Sequence, residues 1–127
     1  VDFNISHAGE FILAVFAVGM DIGVDVQEMA ECPDYREIAE NFYTAEEAED
    51  VKNVGPDLFF QYWAAKEAYV KALGIGLGRG MDFFSVRNEK IAEKDKKDQD
   101  WFLYPVRIKG YAAYVAAHKK GDKSNEL

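Results

Sequence analysis

Between Asp57 and Leu73 the apolar residues Leu58, Tyr62, Ala65, Tyr69 and Leu73 recur at a helical rather than a strand period. Pro56 suits the first helical position and Gly74 the residue just past the end. This helix divides the chain. Strand patterns lie before it at Asp2–Ser6, Phe11–Val18 and Ile22–Gln27, followed by short helical patterns at Tyr35–Phe42 and Ala45–Lys52. Three more strands follow it, near Phe83–Arg87, Trp101–Ile108 and Tyr111–His118. Clustered strands, clustered helices and clustered strands predict an α+β domain with a mainly antiparallel sheet packed against helices. Residues 1–120 are expected to form this one domain, with 121–127 as a frayed tail and Asn88 to Asp100 as a solvated, lysine-rich loop.

The helix carries charges in informative places. At about 100° per residue, Trp63, Glu67 and Lys71 form one row along its flank. Glu67 followed by Lys71 is the favourable order for an i, i+4 ion pair, which on a solvated face is worth roughly 0.3–0.5 kcal/mol. Lys66 instead projects into the apolar arc, between the directions of Phe59, Val70 and Leu73. A lysine there either snorkels out or meets an anion, because an unpaired buried charge is expensive. A bound phosphate group would satisfy Lys66 and Lys71 together.

In the third strand, Ile22, Val24 and Val26 alternate with Gly23, Asp25 and Gln27, so Asp25 and Gln27 share a face. Taken alone this is an ordinary amphipathic strand. Facing a helix that bears Glu67, it would supply the one or two carboxylates that magnesium takes before completing its octahedron with water and phosphate oxygens. Asn4-Ile5-Ser6-His7 ends the first strand, and Ala8-Gly9-Glu10 reads as hairpin punctuation. Turn chemistry alone would account for a Ser-His pair at such a strand end. Thr44 with Glu47 makes a capping box for the second helix.

Taken in this order, Asn4-Ile-Ser6-His7, Gly23-Val-Asp25-Val-Gln27 and Trp63-Ala-Ala-Lys66-Glu67-Ala-Tyr-Val-Lys71 resemble the signature of the phosphopantetheinyl transferases. The match is to the larger, two-half type that activates peptide and polyketide synthetases, and this chain resembles its C-terminal half. Asn41 to Glu47 and Gly110 to Ala116 extend the resemblance along almost the whole chain.

The resemblance implies a magnesium-dependent transfer of phosphopantetheine from coenzyme A to a serine of an acyl or peptidyl carrier protein. It assigns Asp25 and Glu67 to the metal, Ser6 and His7 to a phosphate of coenzyme A, and Lys66 and Lys71 to the pyrophosphate. Glu67 becomes the base for the carrier serine, with Lys71 beside it in the reaction. Gln27 stands where many of these enzymes have a glutamate, so it offers the metal only a neutral carbonyl oxygen or a held water. The resemblance also places the active site between two halves. A C-terminal half alone is therefore expected to leave an apolar surface bare and to self-associate or recruit the N-terminal half.

Composition narrows the alternatives. At 127 residues, 49% hydrophobic with nine Phe, the chain can form one compact core. No apolar span is long enough for a bilayer and no charged leader precedes an apolar run, so neither membrane anchor nor secretion signal is expected. The single Cys32 excludes an internal disulfide framework and fits a reducing cytoplasm. Residues 25–50 hold ten acids against Arg36 alone, which argues against a nucleic-acid-binding surface. Attraction for coenzyme A must then be local, from His7, Lys66, Lys71 and Arg79 together with the metal.

Gly74-Ile-Gly76-Leu-Gly78-Arg79-Gly80 follows a helix, whereas a dinucleotide fingerprint must leave a strand and open one. A flexible border to a substrate site is the better reading. Two rival functions remain. One is a coenzyme A or nucleotide binding fragment without transfer activity. The other is an interaction domain that uses the acidic segment as a partner surface.

Overall fold

The structure is a computed structural model and describes residues 2–76, 80–94, 96 and 100–120. The glycine-rich stretch at 77–79, with Arg79, and the tail at 121–127 lie outside the described residues. Strands β1 (Asp2–Ala8) and β2 (Phe11–Ala17) form an antiparallel hairpin around Gly9, whose φ of 54° suits glycine. Strand β3 (Met20–Glu28) is followed by three helices, α1 (Tyr35–Phe42), α2 (Ala45–Val54) and α3 (Pro56–Leu73). Then come β4 (Phe84–Ser85), β5 (Ala92–Glu93), β6 (Phe102–Pro105) and β7 (Tyr111–Lys119). The central sheet has the order β3-β7-β6, antiparallel throughout, with Asp25 opposite Tyr114. The α+β expectation holds.

Local chemistry explains the boundaries. Pro56 occupies the first turn of α3, and Gly74 ends it in the left-handed conformation. The Thr44–Glu47 capping box of α2 has both of its hydrogen bonds. Strand β4 is shorter than expected because the Val86 N–H donates to the Glu47 carboxylate at 2.7 Å instead of continuing a ladder. A 3-10 turn at Arg87–Glu89 follows. The stretch read as a loop contains β5, which pairs with β4 over two residues. Strand β6 pairs regularly with β7 only as far as Pro105; single bonds such as Val106 N–H to the Ala113 carbonyl continue the hairpin.

The core lies between α3 and the central sheet, with Phe59, Ala64, Ala65, Ala68, Tyr69 and Val70 of the helix buried against residues such as Leu103, Ala112 and Ala116. Strand β3 is an edge strand of that sheet, yet Ile22 through Val26 are all buried. Side chains of β1 complete its edge. Asn4 Oδ1 accepts from the Val24 N–H at 2.9 Å, and Ser6 Oγ accepts from the Val26 N–H at 3.1 Å. These bonds satisfy donors that a free strand edge would expose. They also fix β1 beside the polar residues of β3.

Candidate active site

Gly23 sets the distance between helix and sheet. A Cβ at this position would overlap the Ala68 carbonyl oxygen and sit 2.6 Å from the Ala72 nitrogen, so α3 lies directly on the β3 backbone. Asp25 is two residues further along the same face of β3. Glu67 adjoins Ala68 in α3. The close approach therefore brings the two carboxylates into each other's field.

Asp25 is buried. Burial raises its carboxyl to about 6; hydrogen bonds from Gln27 and Ser6 and the charge of Lys71 offset this only in part. Gln27 Nε2 donates to Oδ2 at 2.7 Å and Ser6 Oγ donates to Oδ1 at 3.3 Å. Glu67, half-buried, is also pushed above the usual carboxylate range, first by burial and then by the Asp25 charge, with Lys71 opposing both. Two partly desolvated carboxylates that repel each other are short of positive charge, and a hard cation is the species that would supply it. Among the described residues no group of three or more His, Cys, Asp or Glu could hold a metal. The donor set is two acids plus Gln27, whose amide nitrogen is already spent on Asp25 and whose carbonyl oxygen remains.

The other expected residues are placed unequally. Lys71 Nζ donates to the Val24 carbonyl at 2.8 Å and to the Ile5 carbonyl at 3.1 Å, so it bolts α3 to both β3 and β1 beside the acid pair. Ser6 is buried between Asp25 and the Val26 N–H. His7 is exposed on the outer face of β1, opposite Ser6.

Lys66 needs a correction. The anion it meets is Glu47, at 2.7 Å with both side chains fully buried, rather than a phosphate. Its Nζ also donates to the Met81 carbonyl at 2.7 Å and the Phe84 carbonyl at 2.6 Å, which uses all three hydrogens. The helical period correctly pointed Lys66 inward. The separation of 19 residues hid its partner, and the capping box gave Glu47 a sufficient role of its own. Also missed was Tyr111, whose hydroxyl donates to Glu28 at 2.9 Å and accepts from the Glu10 N–H at 3.4 Å, steadying the β1–β2 turn.

The fold and the site thus define a small antiparallel α+β domain with a carboxylate pair at a helix–strand crossing. Comparison with known proteins specifies it further. The 4'-phosphopantetheinyl transferase superfamily matches residues 21–117, and the chain belongs to that family. It is 38% identical over 89 residues to the 4'-phosphopantetheinyl transferase ffp of Bacillus subtilis, covering 67% of this chain and 38% of that protein. It is 29% identical over 146 aligned positions to the L-aminoadipate-semialdehyde dehydrogenase-phosphopantetheinyl transferase of Homo sapiens, covering 97% and 47%. The crystal structure of a holo-(acyl-carrier-protein) synthase from Bacillus anthracis in complex with CoA (3',5'-ADP) shares the fold, with a TM-score of 0.60 at 22% identity over 80% of this chain and 96% of that one. The chain spans between about a third and a half of the length of the curated relatives it matches. No described helix is long and apolar enough to cross a membrane.

Proposed function

We propose that this chain forms part of an enzyme that transfers phosphopantetheine from coenzyme A to a serine of an acyl or peptidyl carrier protein, with magnesium held by Asp25 and Glu67. The observation that carries this reading is the approach of α3 to β3 at Gly23, which collects two raised carboxylates and Lys71 in a family whose named members are phosphopantetheinyl transferases. When bound, magnesium would supply positive charge toward the pyrophosphate and the departing adenosine bisphosphate. Gln27 holds Asp25 in place and offers its carbonyl oxygen to the metal or to a metal-bound water.

The residues of the chain divide the remaining work. Glu67, directly or through an ordered water, takes the proton from the carrier serine, whose oxygen forms the new bond to phosphorus as the bond to the adenosine bisphosphate breaks. Lys71 lies close enough to lower both carboxylates and adds positive charge at the same place. Ser6 orients Asp25. His7 faces outward, so a phosphate contact by His7 belongs to a ligand seated between β1 and whatever covers it.

That outer face is apolar. Phe3, Ile5, Ile12 and Phe16 are each at least half exposed, and the β1–β2 pairing places them side by side. The occupant we propose is the other half of the enzyme or, for the chain alone, a second copy. This bare face is also what favours the second reading, a fragment that binds coenzyme A but does not transfer.

The test is incubation of the chain, alone and within its full-length protein, with coenzyme A, magnesium and an apo carrier protein, followed by intact mass measurement of the carrier. A gain of one phosphopantetheine group is expected with the full-length protein. Coenzyme A binding without any gain of carrier mass would establish the second reading instead.

A further inference from the structure

Strands β1 and β3 run side by side in the same direction, yet among the described residues no backbone ladder joins them: β1 pairs with β2, and β3 with β7. Side chains make the connection instead. Asp2, Asn4 and Ser6 share one face of β1. Each accepts from an amide of β3: Asp2 Oδ2 from the Met20 N–H at 3.3 Å, Asn4 Oδ1 from Val24 at 2.9 Å and Ser6 Oγ from Val26 at 3.1 Å. Phe3 and Ile5, on the other face, are at least half exposed. With its polar residues inward and its apolar ones outward, β1 commits side chains to register rather than to the core.

This register has two consequences at the acid pair. Accepting from Val26 turns the hydroxyl hydrogen of Ser6 toward Asp25 Oδ1, 3.3 Å away. Ile5, between Asn4 and Ser6, presents the carbonyl that takes Lys71 Nζ at 3.1 Å, while the Val24 carbonyl takes the same amine at 2.8 Å. Val24 is thus held twice, at its N–H by Asn4 and at its carbonyl by Lys71. A slip of β1 by one residue would turn Ser6 away from β3 altogether. Asn4 makes the shortest of the three edge bonds and adjoins Ile5, so it holds the register where the site needs it.

Resting on the transferase reading above, we infer that Asn4 is a positioning residue for the magnesium site: by fixing β1 on the β3 edge it places the Ser6 hydroxyl on Asp25 and the Ile5 carbonyl on Lys71. It acts through these neighbours.

The experiment titrates magnesium by calorimetry into the coenzyme A complex of the full-length protein, well below the unfolding temperature of each variant. Asn4→Leu keeps the size of the side chain but removes the acceptor, and should weaken magnesium binding at least about threefold, in line with one lost neutral hydrogen bond. Asn4→Asp keeps the acceptor and should bind at least as tightly as the parent. Ser6→Ala should weaken binding in the parent yet add little on top of Asn4→Leu, because the register it depends on is already lost. A purely structural asparagine would lower the melting temperature and leave magnesium affinity alone. Should Asn4→Leu not fold, Asn4→Ser, whose hydroxyl is too short to reach the Val24 N–H, is expected to shift affinity the same way. Unchanged affinity, losses that simply add, or Asn4→Asp as weak as Asn4→Leu would overturn the inference while leaving the transferase reading intact. No magnesium uptake by the parent complex would overturn both.

Discussion

Asp25 carries its own test of burial. Its carboxyl sits at about 6 in the folded chain against an ordinary 3.8. A carboxyl raised in this way binds its proton more tightly when folded, so its contribution to stability is fully present at low pH and is lost as pH climbs from about 4 to about 6. The gap corresponds to on the order of 3 kcal/mol. Without divalent cations, Asp25→Asn should therefore be more stable than the parent chain at neutral pH by about 1–3 kcal/mol, and no more stable near pH 4. Denaturant titrations at the two pH values check this, and equal stabilities at both would show that the carboxylate is solvated. At Lys66 the expectation has the opposite sign. Lys66→Met strands Glu47 without its buried partner and should cost about 3–5 kcal/mol, while Glu47→Gln in the same chain recovers part of the loss. An unchanged melting temperature with weakened coenzyme A binding would return Lys66 to the phosphate. The sequence showed that Lys66 points inward and that Asp25, Gln27 and Glu67 could share a site. It could not show that Asn4 and Ser6 finish a strand edge, because such bonds depend on how β1 crosses β3.

The crossing of α3 over β3 is what turns separate polar residues into a site. Gly23→Ala would force the helix away from the strand, and overpacking of this kind costs about 1–3 kcal/mol or more. Transfer should fall further than stability does, because lifting α3 separates Glu67 from Asp25. Transfer rate measured beside thermal unfolding decides the matter, and a variant with normal stability and normal turnover would mean the close approach is incidental. The long helix was legible because eighteen residues of period, a leading Pro56 and a trailing Gly74 agree with one another. Strand β5 was not legible, because two paired residues in a polar stretch leave no periodicity to read. The early end of β4 was hidden for another reason: it depends on a backbone bond to Glu47, 39 residues earlier.

For the whole molecule, the outer face of the β1–β2 hairpin is the apolar surface left bare. We expect the chain alone to self-associate, and Ile12→Lys combined with Phe16→Glu to render it monomeric without unfolding it, since both side chains are more than two-thirds exposed. Light scattering distinguishes this from a parent chain that is monomeric at all concentrations. Charge acts at the same scale: on the transferase reading, a net charge of -8 would not draw in coenzyme A, and its capture would depend on positive charge gathered at the acid pair. That dependence makes magnesium binding the most direct test of a single site spanning strand and helix. Magnesium should be titrated by calorimetry into the coenzyme A complex of the full-length protein, using the parent, Asp25→Asn, Glu67→Gln and the double variant. If the two acids share one ion, each single change should weaken binding at least about tenfold, and the double change should cost clearly less than the sum of the two. Losses that simply add, or magnesium affinity untouched by either change, would contradict the account.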